Sequence, residues 1–192
     1  MAEPAAKEHA TKSLIKQTAL RLFVEKGVAE TSVRDLAVAA GIAEGTLYRH
    51  YAAKEDMVRD LFKEHFAAFA ERLDRQQRNQ RGIKAKLRVM VADACALFDE
   101  NPTLCRFLLM VQHQVLPRLP KGSAHPMIVM RKLIAEGIEA GEVKLDNANL
   151  GAALVMGLIL QPALAVVHGS LKGPLSPYAD DIAKACERVL TK

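Results

Sequence analysis

The stretch Thr31–Lys54, TSVRDLAVAAGIAEGTLYRHYAAK, leaves little freedom to any chain that carries it. Thr31 and Ser32 stand just before an apolar-periodic run, where a hydroxyl satisfies backbone amides that the first turn of a helix leaves without partners. Val33, Leu36, Ala37 and Ala40 recur at helical spacing and predict one buried face. Gly41 follows and can take the left-handed conformation that ends a helix. Ile42 then anchors a turn, and a second helix opens over Ala43, Glu44, Gly45 and Thr46. In it Leu47 is the apolar anchor, while Thr46, Tyr48, Arg49 and His50 carry hydrogen-bonding tips. A third helix starts near Lys54. Two short helices joined by a glycine turn form a helix-turn-helix, whose second helix is narrow enough for the major groove of DNA.

On this reading the residues facing DNA are Thr31, Ser32, Arg34, Glu44, Gly45, Thr46, Tyr48, Arg49, His50 and Lys54. Gly45 lets the backbone come close to a duplex, and Lys54 brings charge to helix-opening amides that already favour a phosphate. Glu44 would repel a phosphate, so it either points away or accepts from a cytosine amino group. The competing reading is a helical hairpin in a core, with Tyr48 and His50 as satisfied polar residues. The length and order of GTLYRHYAAKE argue against it.

These residues carry a resemblance. From about Ile15 to Leu61 the chain resembles the DNA-binding domain of the tetracycline-repressor (TetR) family. The matching positions are Leu22-Phe23 and Gly27, Thr31-Ser32, Asp35-Leu36-Ala37, Ala40-Gly41-Ile42, Gly45-Thr46-Leu47-Tyr48, Tyr51 and Lys54-Glu55. His50-Tyr51, where an aromatic-Phe or His-Phe pair is frequent, and Glu44, where Lys, Arg, Gln or Ser is frequent, depart from the pattern. The resemblance implies that the Tyr48 hydroxyl reaches a phosphate. It also implies an all-α fold, with an N-terminal three-helix DNA-binding domain at 1–55 and a C-terminal ligand-binding and dimerisation domain at 56–192.

Composition agrees with an all-helical globular chain: half of the 192 residues are hydrophobic, aromatics are few, and no alternating β-branched run announces a sheet. The net charge of +5 does not argue for DNA binding. Residues 1–60 and 122–192 each balance to zero, and the whole excess lies in 61–121, around Arg72, Arg75, Arg78, Arg81, Lys84, Lys86 and Arg88. A solvated helix face explains this cluster better than a second nucleic-acid site. Cys95, Cys105 and Cys186 are widely spaced, with no CxxC pair, and no secretory signal precedes Thr11; a reducing bacterial cytoplasm, with association to the nucleoid, is the expected location. A metal or redox sensor built from His113 and the cysteines is weighed against buried thiols acting as small hydrophobes, and the second is preferred. No metal and no cofactor are expected.

Residues 1–10 are expected to form a mobile arm and Lys12–Lys26 the first helix. The long helix from Lys54 ends near Gly82, and further helices are expected at about Lys84–Glu100, Thr103–Val115, Pro126–Ala140, Asn147–His168 and Pro177–Leu190, with Pro and Gly marking the breaks. Leu150–Val167 is the most apolar segment. Gln161-Pro162 and the absence of flanking charge clusters argue against a membrane span. The resemblance implies that the last two helices meet their copies in a homodimer, with Ala153, Gly157, Leu164, Ile182 and Cys186 as interface candidates. A small apolar effector would be lined by Phe98, Phe107, Met110, Val111, Met130 and Leu154, with His113, Gln114 and Gln161 as polar groups; the alternative for each is plain core packing. Gln161, before Pro162 in an apolar helix, needs a partner in backbone, water or ligand.

The function that follows is a ligand-responsive regulator, a repressor holding a palindromic operator as a dimer and released by its effector. The alternative is a DNA-bound interaction protein of the nucleoid-occlusion type, answering to a protein partner. No nucleophile elbow, phosphate loop or HExxH is present, so an enzyme is not expected.

Overall fold

The computed structural model describes residues 3–120 and 122–191, with side chains from residue 6 onward. The described residues form nine α-helices: α1 Glu3–Glu25, α2 Val33–Ala39, α3 Glu44–His50, α4 Lys54–Gln77, α5 Ile83–Glu100, α6 Pro102–Val115, α7 Pro126–Glu139, α8 Ala148–Val167 and α9 Ala179–Leu190. Short 3₁₀ turns follow α6 at Leu116–Arg118 and precede α9 at Ser176–Tyr178. Among the described residues there is no strand. The first helix opens at Glu3 rather than Lys12, so residues 3–10 are helical where an arm was expected; Met1 and Ala2 lie outside the described residues.

The chain divides into two compact units. The first holds residues up to Glu64 together with Arg106–Leu119. Its core is Ile15, Ala19 and Phe23 of α1, Leu36 and Ala37 of α2, Leu47 of α3, Met57 and Leu61 of α4, and Phe107 and Val111 of α6, all buried. Phe23 and Phe107 stack, with ring centroids 6.1 Å apart. α2 is bounded by its chemistry at both ends. Ser32 accepts from the Asp35 amide (3.0 Å) while the Asp35 carboxylate accepts from the Ser32 amide (2.8 Å), a reciprocal cap. At the other end Gly41 turns the chain at φ +64°, a region closed to most side chains.

The second unit holds His65–Cys105 and residues from Pro120. Here α5 packs on α9, and α8 on α7 and α9. Gly151 permits the close approach of α7 and α8: a Cβ there would lie 3.0 Å from Ile134 Cγ2. The Asp99 carboxylate on α5 accepts from the Leu175 and Ser176 amides (both 2.7 Å), which fixes the entry into α9. The basic cluster is largely paired: Arg72 with Asp93 and Glu100, Arg78 with Asp74, Lys86 with Glu136 and Arg88 with Glu187. It is a salt-bridged helix surface.

α8 is long and apolar enough to cross a membrane, with a mean hydropathy of 2.2 and one third (33%) of its apolar window buried. One face, with Ala152, Val155, Met156, Ile159 and Ala163, lies in the core of its unit. The opposite face carries Leu150 (50% exposed), Leu154 (40%), the half-buried Gly157 and the exposed Gln161, spaced to form one stripe. Two interface candidates are corrected by these burials. Ile182 (7%) and Cys186 (0%) face inward within their own unit, because the apolar stripe of α9 turns toward α5 and leaves Asp180, Asp181, Lys184 and Arg188 outside.

Candidate nucleic-acid interface

α2 and α3 touch each other and present a continuous outer surface. Ser32, Arg34, Glu44, Gly45, Tyr48 and Arg49 are exposed on it, and Thr46 and His50 are half-buried. Tyr48 keeps 52% of its surface open although it is a large aromatic ring, while its neighbour Leu47 is 1% exposed. The helix thus divides as expected, with Leu47 as anchor and Tyr48 facing outward. Arg49 donates to the Thr46 hydroxyl (3.1 Å), so the two act as one polar pair. α3 begins without a side-chain cap at Ala43, and Glu44 in its first turn supplies the negative charge that a helix N-terminus favours. That accounts for an acid at a surface otherwise suited to phosphate.

Gly45 has no internal explanation. A Cβ added there meets nothing within 4 Å, and its φ is not positive. Glycine inside a helix costs about 0.5–1 kcal/mol relative to alanine. Nothing in the fold requires that cost; an outside body approaching the backbone would.

Two residues expected at the surface turn inward. Thr31 is fully buried, and its hydroxyl donates to the Gly27 carbonyl (2.6 Å). It sits one position before the true cap, Ser32, and its side chain closes the connection after α1 instead of facing DNA. Lys54 is half-buried, and its ammonium donates to the carbonyls of Val28 (2.6 Å), Ala29 (3.3 Å) and Thr31 (2.9 Å). Three protons meet three acceptors, so no proton remains for a phosphate in this arrangement.

The platform beneath the motif was not legible in the sequence. The Tyr51 hydroxyl donates to Asp60 Oδ2 (2.8 Å), and Lys16 of α1 reaches the same carboxylate (3.1 Å) and pairs with Glu64. Burial, then the bond to Asp60, pushes the Tyr51 phenol well above its ordinary range. Burial alone would raise Asp60, but the Tyr51 bond and Lys16 outweigh it and hold the carboxyl below the usual carboxylate range. Asp35 is held far below that range, first by Lys26 (2.7 Å) and then by the Ser32 amide. A further residue missed is Val38, 73% exposed and one turn beyond Arg34 on the same face of α2; a lone exposed valine in an apolar-periodic run gave no signal.

The family model described as bacterial regulatory proteins of the tetR family matches residues 15–61, the segment that carries this surface. Residues 15–61 are a DNA-binding domain of the tetR family of bacterial regulatory proteins. Relatives extend the likeness. The chain is 29% identical over 176 residues to the fatty acid metabolism regulator protein of Bacillus subtilis (strain 168), covering 88% of this chain and 89% of that one. It is 47% identical over 47 residues, 24% of each chain, to the HTH-type transcriptional repressor KstR2 of Mycobacterium tuberculosis (strain ATCC 25618 / H37Rv). It shares the fold of the crystal structure of the transcriptional regulator FadR from Bacillus subtilis in complex with stearoyl-CoA, at a TM-score of 0.77 and 22% identity, over 92% of this chain and 98% of that one. These relatives are regulators by name, a repressor among them.

The effector candidates scatter. Phe98 and Met130 belong to the core of the second unit, and Phe107 and Val111 to that of the first. Met110 (47% exposed), His113 and Gln114 lie on the open face of α6, and Leu154 and Gln161 on the outer stripe of α8. Gln161 is exposed, so water, one of the three partners expected, can satisfy its amide. In the first unit Gln114 borders a cleft of about 270 Å³ with Val28, Ala29, Lys54, Val58 and Arg118.

Proposed function

We propose that this chain is a TetR-family repressor that holds a palindromic operator as a homodimer and is released by a long-chain acyl thioester of coenzyme A. The observation that carries the effector class is the span of the likeness to the fatty acid metabolism regulator: it extends over 88% of the chain, far beyond residues 15–61, and a structure of that fold binds stearoyl-CoA. The outer surface of α2 and α3 supplies the DNA-facing groups. Tyr48, Arg49 and Arg34 address phosphates and base edges, Val38 offers an apolar contact to a thymine methyl, and Gly45 admits the backbone to close range.

Self-association follows from the operator and from α8. One recognition helix reads a few base pairs, and a two-fold dimer places two of them about 34–36 Å apart, or a multiple, on successive major grooves. The stripe of Leu150, Leu154 and Gly157, closed by the Gln161 amide, is the mostly apolar surface that would receive a second copy. An effector that prefers the off-register dimer by about 3 kcal/mol would lower operator affinity roughly 150-fold. The protein would work in the cytoplasm, on the chromosome.

The test is fluorescence anisotropy on a labelled operator obtained by selection with the purified protein. Stearoyl-CoA should release the DNA, whereas free coenzyme A should not. Release by stearate alone would reassign the effector to the free acid. No release by any acyl compound would favour a protein partner of the nucleoid-occlusion kind.

A further inference from the structure

We infer that Lys54 is a positioning residue for DNA binding, acting through the backbone of the α1–α2 connection and not through a phosphate. The inference rests on the DNA-binding reading of α2 and α3. A lysine in the first turn of a helix faces the positive end of the helix dipole, an unfavourable place for a cation. Here the ammonium is stabilised from the other side: the carbonyls of Val28, Ala29 and Thr31 converge on Nζ at 2.6, 3.3 and 2.9 Å. An ammonium has three donors and no acceptor, so this triad saturates it.

The geometry has a direct consequence for the motif. The three carbonyls lead straight into Ser32, whose hydroxyl caps α2. Thr31 adds a second fastening through its hydroxyl to Gly27. The start of α2 is thereby tied to the start of α4, and with it the orientation of Arg34 and Val38 on the outer face. To reach a phosphate, Lys54 would have to abandon at least one carbonyl and loosen the segment that aims those side chains. A flexible α2 start still meets DNA electrostatically but loses the register that distinguishes an operator.

The experiment compares full-length wild type, Lys54→Met and Lys54→Arg on a selected operator duplex and on a scrambled duplex of equal length, across a salt series. Removing a phosphate contact lowers the magnitude of the slope of log K against log salt by about 0.9 and weakens all sequences alike. A positioning role predicts otherwise: Lys54→Met loses about tenfold or more on the operator, keeps its affinity for the scrambled duplex and keeps its slope. Lys54→Arg retains the charge but cannot converge a planar fork on three carbonyls, so it too should lose operator preference at unchanged slope. Amide exchange at residues 28–32, measured without DNA, should accelerate in both variants.

A reduced slope with parallel loss on both duplexes, or an arginine variant that binds like wild type, would overturn the inference. If Lys54→Met fails to fold, the arginine variant decides. A wild-type protein with no operator preference would sink the proposed function instead, while the exchange data would still decide whether Lys54 anchors the connection.

Discussion

Replacing Gly45 with alanine separates what the fold needs from what the DNA needs. In the free protein the new methyl enters open space, with no atom within 4 Å, and the backbone there is not left-handed. The substitution therefore introduces no clash and removes the helix penalty of glycine, a gain of about 0.5–1 kcal/mol. For a chain of 192 residues that corresponds to a rise of about 1–4 °C in Tm. On DNA the sign reverses. If the α3 backbone at residue 45 sits against the duplex, a methyl must push it back, and a loss of about 1.4 kcal/mol or more, tenfold in Kd, is expected. The assay pairs a thermal melt by circular dichroism with anisotropy titration on the operator. The expected outcome is a more stable protein that binds less well. A lower Tm would mean that the glycine serves the fold, and a raised Tm with unchanged affinity would mean that nothing approaches the backbone there.

Thr31→Val should destabilise the protein by about 1–3 kcal/mol in denaturant titration, because the Gly27 carbonyl loses its buried donor, and should weaken operator preference less than Lys54→Met does, because the lysine still ties the α2 start. Gly157→Glu adds a side chain where a Cβ meets nothing within 4 Å, so the subunit should fold normally, sediment as a monomer and bind operator weakly; a tight dimer would place the interface away from α8. Asp35 links stability to pH. Its folded value lies below the unfolded one of about 3.9, so as pH falls the unfolded chain takes up the proton first. The contribution is therefore complete above about pH 4 and lost below it, and Asp35→Asn should flatten the acid side of the stability profile.

Helix positions were legible because caps, glycines and prolines mark their ends. α5, α6, α7 and α8 begin within a residue of the positions expected. Leu47 as anchor followed from periodicity, and a hydroxyl cap at Thr31 or Ser32 from side-chain chemistry. What escaped was direction. Thr31 and Ser32 are equivalent as N-cap chemistry, and only the nearby Gly27 carbonyl decides which hydroxyl turns inward. Lys54 was legible as a charge near helix-opening amides, but the three carbonyls that capture it lie 23 to 26 positions earlier, at separations no periodicity reports. α8 is apolar nearly all round, so its pattern could not say which face lies inside. α9 is the converse case: its charges were plainly on one side, yet Ile182 and Cys186 were assigned to a partner when α5 already covers them. Tyr51, Asp60 and Lys16 come from three helices and leave no local trace.

The stacking of Phe23 on Phe107 sets an order on synthesis. Both rings are buried in the same compact unit, yet 83 residues of chain separate them, as their numbers show. While the ribosome has delivered only the DNA-reading helices, Phe23 has no partner ring, and the nascent unit exposes an apolar gap until α6 emerges. A gene fragment ending after α4 should accordingly yield a sticky, loosely packed product, prone to capture by chaperones. The polypeptide acquires competence for DNA late, after more than half of it has been made.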